Sequence, residues 1–207
     1  MTVIAESEKI VTELRTQLAQ KERELNLLCC EIDNLISVDP TTGVMNRRVL
    51  NELLKHELLR SRRTDRSFCF VIIDVDHLHQ INDRYGYQVG DVVLKTFLNT
   101  TARLMRELDR LGRINGDQFG IIMPLTDLDS GRTAMTRLYA AVQECDWNRI
   151  TPGLAVTFSA GMTDNADGDT VDSLLQRAEA ALMQAKFDCR GTVVIEQASA
   201  DNPGAIP

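Results

Sequence analysis

The segment from Ser67 to Val75, SFCFVIIDV, is an apolar run rich in β-branched and aromatic side chains that breaks only at Asp74. Such a run has no alternating polar positions to show to water, so it reads as a central strand covered on both faces. A strand of that kind needs layers above and below it, and the flanking sequence supplies them. Val44–Arg63 carries Leu50, Leu53, Leu54, Leu58 and Leu59 on one helical face, and residues 89–107, 127–145 and 171–187 read as further helices. Leu111–Ile114, Gln118–Met123, Ala155–Met162 and Thr192–Glu196 read as the remaining strands. Helices and strands alternate except at one adjacent strand pair, which is predicted to be a hairpin. The expected fold class is α/β (α+β): a mixed central sheet flanked by helices, in a ferredoxin-like arrangement rather than a purely parallel one.

A different periodicity precedes this domain. With Ile4 as an a position, the a series runs Ile4, Val11, Leu18, Leu25, Ile32, and the d series Ser7, Leu14, Lys21, Leu28, Leu35. A seven-residue repeat sustained over residues 4–36, with Glu, Lys, Arg and Gln between, predicts a supercoiled seam and hence a parallel homodimer. The other reading is one amphipathic helix packed on its own domain. Asp39-Pro40-Thr41-Thr42-Gly43 breaks the pattern and marks a boundary. The expected organisation is a helical dimerisation segment at 1–38, a domain at 39–197 and a disordered tail at 198–207.

The formal net charge of −7 argues against wrapping duplex nucleic acid by phosphate neutralisation, while leaving room for a local basic pocket on one phosphorylated ligand. No apolar run reaches the roughly 18 residues of a membrane span, and residues 1–20 lack the apolar centre of a signal peptide. Cys29, Cys30, Cys69, Cys145 and Cys189 show no metal-ligand spacing and read as reduced thiols of a cytoplasmic protein.

Three features carry chemistry. Asp74-Val75-Asp76 ends the buried strand, where carboxylates can hold a hard divalent cation or merely cap a strand end. Arg113-Ile114-Asn115-Gly116-Asp117-Gln118-Phe119 has Asn-Gly between apolar runs, a hairpin signal in which both turn residues are expected at φ > 0. If that hairpin lies beside the central strand, Asp117 and Asp74 converge, and two carboxylates with a backbone carbonyl suit Mg²⁺ ions on a nucleotide. Lys186 and Arg190, four apart at the end of a helix, can hold terminal phosphates or simply compensate the helix dipole.

In order and spacing these segments resemble the GGDEF family of diguanylate cyclase domains, over about Asp39 to Glu196. Asp39-Pro-Thr-Thr-Gly-Val-Met-Asn-Arg-Arg48 is similar to the family's D-x-L-T-G-L-x-N-R-R, and Asp74-Val-Asp-His-Leu-His-Gln-Ile-Asn-Asp83 to D-I-D-H-F-K-x-I-N-D. Tyr85-Gly-Tyr-Gln-Val-Gly-Asp91 is similar to Y-G-H-x-x-G-D, and residues 113–119 occupy the R-x-G-G-D-E-F signature. Val156–Gly161 and Ala178–Lys186 complete the pattern.

The resemblance implies condensation of two GTP molecules to cyclic di-GMP and pyrophosphate, with two domains face to face. By resemblance, Asp74, Asp117 and the Val75 carbonyl would hold Mg²⁺ or Mn²⁺. Asn82 and Asp91 would bind guanine, with Leu78, His79 and Asn115 beside the nucleotide. Gly116, Gln118, Lys186 and Arg190 would complete the catalytic set, the two cations on the β/γ-phosphates. Arg106-Glu-Leu-Asp109 fits the family's R-x-x-D inhibitory site for cyclic di-GMP, with Arg137 as a secondary contact. The sequence departs from the family at Asn115 for Gly, Gln118 for Glu, His79 for Lys and Leu78 for Phe, and Cys189-Arg190-Gly191 replaces the usual Gly-Arg-Asn step. Two readings follow: a working diguanylate cyclase, or an inactive domain that binds cyclic di-GMP or GTP and signals through its coiled coil to a partner protein. A coiled-coil adaptor without nucleotide is a third.

Overall fold

The computed structural model describes residues 14–24 and 37–198. The chain divides into two compact units, Met1–Ser37 and Val38–Pro207. In the first, residues 14–24 are helical (α1), with Lys21 Nζ 2.6 Å from Glu24 Oε2. Leu14 and Leu18, expected at the seam, are 58% and 60% exposed. The rest of the expected coiled coil, and the tail beyond Ala198, lie outside the described residues.

In the second unit the order is α2 (Arg47–Thr64), β1 (Phe68–Val75), α3 (Leu78–Tyr85), α4 (Tyr87–Leu104), β2 (Arg110–Asn115), β3 (Gln118–Pro124), α5 (Leu128–Gln143), a 3₁₀ turn (Trp147–Arg149), β4 (Phe158–Asp164), α6 (Val171–Asp188) and β5 (Val193–Ile195). The sheet runs β2-β3-β1-β4-β5, antiparallel except for the parallel β4–β5 pair. Taken as β1-α4-β2-β3-α5-β4, this is the split βαββαβ arrangement expected, extended by α6 and β5.

Every residue of β1 is buried. Alternate side chains enter opposite layers, as a period of two demands. Cys69, Val71, Ile73 and Val75 face Phe97 of α4 and Met135 and Leu138 of α5, whereas Phe68, Phe70 and Ile72 face Leu50 and Leu54 of α2 and Leu174, Ala178 and Leu182 of α6. The first layer is aromatic at its centre, with the Phe97 and Phe158 rings 5.5 Å apart, edge to face.

Several boundaries differ from expectation, among them the start of α2, at Arg47 rather than Val44. Residues 78–85 form a helix of their own, split from α4 by Gly86 at φ +89. α4 ends at Leu104 because Met105 turns extended (φ −74, ψ 145), which frees the R-x-x-D residues as a turn. β4 begins at Phe158 rather than Ala155, since Val75 at the end of β1 already pairs with Phe158.

Arg177 of α6 ties the loop before its own helix. Its Nη1 and Nη2 each donate to an Asp169 carboxylate oxygen at 2.7 Å, Nη2 also to the Asp164 carbonyl at 2.8 Å, and Nε to Thr163 Oγ1 at 3.0 Å. Burial disfavours the Asp169 carboxylate, but these bonds and those from Ser173 and Ala166 outweigh it and hold its pKa below the usual 3.8.

Candidate active site

The site is built where β1 ends. Asp74 lies between two antiparallel neighbours, opposite Gln118 of β3 and Ser159 of β4, so its position follows from register alone. The β2–β3 turn brings Asp117 alongside: the Val75 N–H donates to the Asp117 carbonyl at 3.3 Å. From the far side Lys186, in the last turn of α6, reaches Asp74 with Nζ 2.5 Å from Oδ2.

Burial pushes the Asp74 carboxyl above its usual 3.8, and the charge of Asp117 adds to that rise, against hydrogen bonds from Lys186 and Gln118 and the Lys186 charge. A buried carboxylate whose ionisation is opposed by a neighbouring carboxylate sits in a site electrostatically suited to a cation. Among the described residues no cluster of three or more His, Cys, Asp or Glu side chains could hold a metal. A donor set of two carboxylates and the Val75 carbonyl, all hard oxygens, still fits Mg²⁺ or Mn²⁺, because Mg²⁺ commonly takes one or two carboxylates and completes its shell with water and substrate phosphate.

The turn departs from expectation. Only Gly116 has positive φ, at +36; Asn115 does not and ends β2 as a strand residue. The register shifts between Arg113 and Asn115, and this irregularity moves the two-residue loop to Gly116-Asp117. Arg113 braces the turn, donating from Nε at 2.9 Å and Nη2 at 2.7 Å to the Gly116 carbonyl, while its Nη1 pairs with Asp39 Oδ1 at 2.8 Å. The same Asp39 oxygen accepts from Thr42 N–H at 2.8 Å and Thr42 Oγ1 at 2.6 Å. Burial opposes the Asp39 charge, but the bonds from Thr42 and Arg113 prevail and lower its pKa. The Asp-x-x-Thr motif and the signature arginine are thus one hydrogen-bonded unit.

The proposed guanine contacts lie on adjoining helices, Asn82 on α3 and Asp91 as the fifth residue of α4. Asn82 Oδ1 is buried and has no hydrogen-bond partner among the described residues. Gly90 permits that placement: a Cβ on residue 90 would stand 1.8 Å from Asn82 Oδ1. A buried orphan acceptor is costly unless something donates to it, and the N–H edge of a guanine has the complementary chemistry. His79 is exposed on α3, with Nε2 3.5 Å from Asp83 Oδ2, and Leu78 is buried in the core at 7% exposure. Arg190, exposed, follows α6 in a left-handed conformation at φ +48.

Arg106, Asp109 and Arg137 line one pocket of about 160 Å³, together with Thr126, Ser130 and Thr133. The R-x-x-D turn closes on itself, as Arg106 N–H donates to Asp109 Oδ2 at 2.7 Å and Asp109 N–H to the Arg106 carbonyl at 3.1 Å. Sequence reasoning thereby grouped residues that the fold does bring together.

Three residues it named only within motifs have roles it did not read. Asp76, 3% exposed, is a buried hydrogen-bond hub. Gly90 was legible only as a motif letter, and Arg113 only as the first residue of the signature.

The ferredoxin-like sheet thus carries two carboxylates at a strand end, a braced hairpin beside them and a lysine that pairs with one of them. The chain belongs to the GGDEF family: the family model described as "Diguanylate cyclase, GGDEF domain" matches residues 36–192. Diguanylate cyclase DgcP of Pseudomonas aeruginosa is 34% identical over 148 residues, 72% of this chain but 22% of DgcP, so the chain spans about a fifth of that relative's length. Diguanylate cyclase SiaD of P. aeruginosa, solved in complex with its activator SiaC, superposes with a TM-score of 0.72 at 33% identity, covering 91% of this chain and 71% of SiaD. The GGDEF domain of DgcB from Caulobacter crescentus, solved with c-di-GMP, gives 0.73 at 25% identity over 77% of this chain and 95% of that one.

Proposed function

We propose that the chain is a diguanylate cyclase half-site. Two copies each present one GTP, and the 3′-OH of one GTP attacks the α-phosphate of the other, forming the new phosphodiester and releasing pyrophosphate. The observation that carries this is the convergence of Asp74, Asp117 and Lys186 at the end of β1, with Lys186 Nζ 2.5 Å from Asp74 Oδ2. Asp74, Asp117 and the Val75 carbonyl are the residues that would hold Mg²⁺ or Mn²⁺, which when bound neutralises charge developing on the transferred phosphate. Asn82 and Asp91 accept from the guanine N–H edge. Lys186 and Arg190 orient the β/γ-phosphates, so catalysis is positioning and electrostatics rather than covalent chemistry.

Neither half-site completes the reaction alone, and pairing two copies through the N-terminal heptads raises their effective concentration. The exposed Leu14 and Leu18 support that pairing. The SiaD–SiaC complex motivates a protein partner for this chain as well. We assign the reaction to the cytoplasm, in keeping with GTP as substrate and with Cys69, Cys145 and Cys189 as free thiols. Among the described residues no helix is long and apolar enough to cross a membrane.

A second reading is favoured by the pocket of Arg106, Asp109 and Arg137. There cyclic di-GMP would bind as a feedback ligand, its guanine O6/N7 edge read by Arg106. If turnover is absent because Gln118 replaces Glu, the same pocket makes the domain a receptor.

Nucleotide-stripped protein incubated with GTP and Mg²⁺, with products followed by chromatography, tests both. Cyclic di-GMP formed by wild type and lost in Asp117→Ala supports the cyclase. No product, with cyclic di-GMP binding abolished by Arg106→Ala, supports the receptor, and neither turnover nor binding overturns both.

A further inference from the structure

Asp76 lies two residues beyond Asp74, is buried at 3% exposure and has no part in the chemistry above. Its carboxylate is nonetheless heavily engaged. Ser159 Oγ donates to Oδ1 at 2.7 Å, and Thr157 Oγ1 and the Gly191 N–H donate to Oδ2 at 2.7 and 3.0 Å. The Asp76 N–H in turn donates to the Thr157 carbonyl at 3.0 Å. The bond to Gly191 joins residues 115 positions apart and is the one that leaves the β1–β4 edge.

Gly191 belongs to an unusual step. Arg190 and Gly191 are consecutive left-handed residues, φ +48 and +59, immediately after the C-cap of α6. Only glycine adopts that conformation freely, so Arg190 is held there by its surroundings. The Arg190 N–H donates back to the Ala185 carbonyl at 3.0 Å, and the Thr192 carbonyl accepts from Ala160 N–H at 2.9 Å, which pins the step on both sides. In open turns, successive backbone N–H groups in such conformations collect anions. Here the Gly191 N–H is given to protein acceptors, chiefly the Asp76 carboxylate at 3.0 Å and more weakly Ser159 Oγ at 3.2 Å, itself bonded to Asp76. Phosphate recognition is thereby left to the side chains that flank the step, Lys186 and Arg190.

We propose that Asp76 is a positioning residue for triphosphate binding: by holding the Gly191 N–H it fixes the strained Arg190 step, so that Arg190 meets the terminal phosphates at the height set by the end of β1. The inference rests on GTP being the ligand of this site. It concerns the phosphates alone, since guanine is bound on α3 and α4.

The test uses the full chain and three probes: the Gly191 amide, a GTP analogue with a methylene bridge between the α- and β-phosphates, and GMP. In wild type the Gly191 N–H exchanges slowly by NMR, and Asp76→Asn accelerates it. The same variant binds the triphosphate analogue about tenfold more weakly and GMP unchanged. Arg190→Ala shows a similar loss, and the double variant loses no more than Arg190→Ala alone, because both act through one contact. Equal losses for GMP and the analogue, additive losses, or no loss overturn the proposal. Should Asp76→Asn fail to fold, Thr157→Val removes one donor and is expected to give the same selectivity for the triphosphate, to a smaller extent. A wild type that binds no GTP analogue overturns the GTP reading and the positioning role with it, while accelerated Gly191 exchange in Asp76→Asn would identify a purely structural clamp.

Discussion

Lys186 Nζ stands 2.5 Å from Asp74 Oδ2, joining the last turn of α6 to the last turn-ward residue pair of β1. The ammonium offsets a carboxylate that burial and Asp117 both oppose. Removing it in Lys186→Met leaves that carboxylate without its counter-charge. The folded-state pKa of Asp74 is already raised, so its ionisation costs stability as pH rises from 3.8 through the folded value, and the variant deepens that loss. Urea titrations of metal-free protein should place Lys186→Met about 1 kcal/mol below wild type at pH 8, after allowance for partial exposure, with a smaller gap at pH 4.5. Turnover should fall about a hundredfold or more.

Gly90→Ala adds a single methyl group, in a helix that would ordinarily welcome it. That methyl would lie 1.8 Å from Asn82 Oδ1, so the amide must swing away from the orphan position it now occupies. The expected outcome is a fall in GTP affinity of about tenfold or more, with discrimination of GTP over ATP reduced. Competition binding with the two nucleotides measures both.

Gln118 sits opposite Asp74 in the β1–β3 register and hydrogen-bonds its carboxylate. Gln118→Glu exchanges that support for a third negative charge beside Asp74 and Asp117. Mn²⁺ affinity, read by electron paramagnetic resonance, should rise about tenfold, while the metal-free protein loses about 1 kcal/mol. Unchanged Mn²⁺ affinity would count against this cation site.

Asp169 and Arg177 give the opposite pH dependence to Asp74. The pKa of Asp169 is lowered, so the pair contributes fully above 3.8 and is lost as pH falls through the folded value. Asp169→Asn should cost about 3 kcal/mol at neutral pH, since it leaves a largely buried guanidinium without its partner. The difference from wild type should stay level from about pH 5 upward and shrink below about pH 4. Denaturant midpoints across pH 3–7 provide the measurement.

The sheet was legible because the 67–75 run has no polar face to show, and because the helices around it keep their leucine spacing. α3 was not, since its eight residues start from His77 in a left-handed conformation with no side-chain cap and stop at Gly86. Asp74, Asp117 and Lys186 were expected together from motif order, and the strand register and the end of α6 place them side by side. The hydrogen-bonding role of Asp76 was not legible, because its partners Thr157, Ser159 and Gly191 lie 81 to 115 residues away and no local periodicity records them. The Asn-Gly dipeptide announced a turn correctly and misplaced it by one residue, because the preceding register shift leaves no trace in composition.

The bracing of the signature turn by Arg113 and Asp39 has a mechanical consequence. Val38 bridges to Met45, Met45 bridges to Gly112, and Asp39 grips Arg113, which grips the Gly116 carbonyl. A load on the backbone at Val38 therefore reaches the turn bearing Asp117 through polar contacts along the β2 edge, and reaches the aromatic core as well, because the Arg113 guanidinium lies 6.0 Å from the centroid of the buried Phe119 ring.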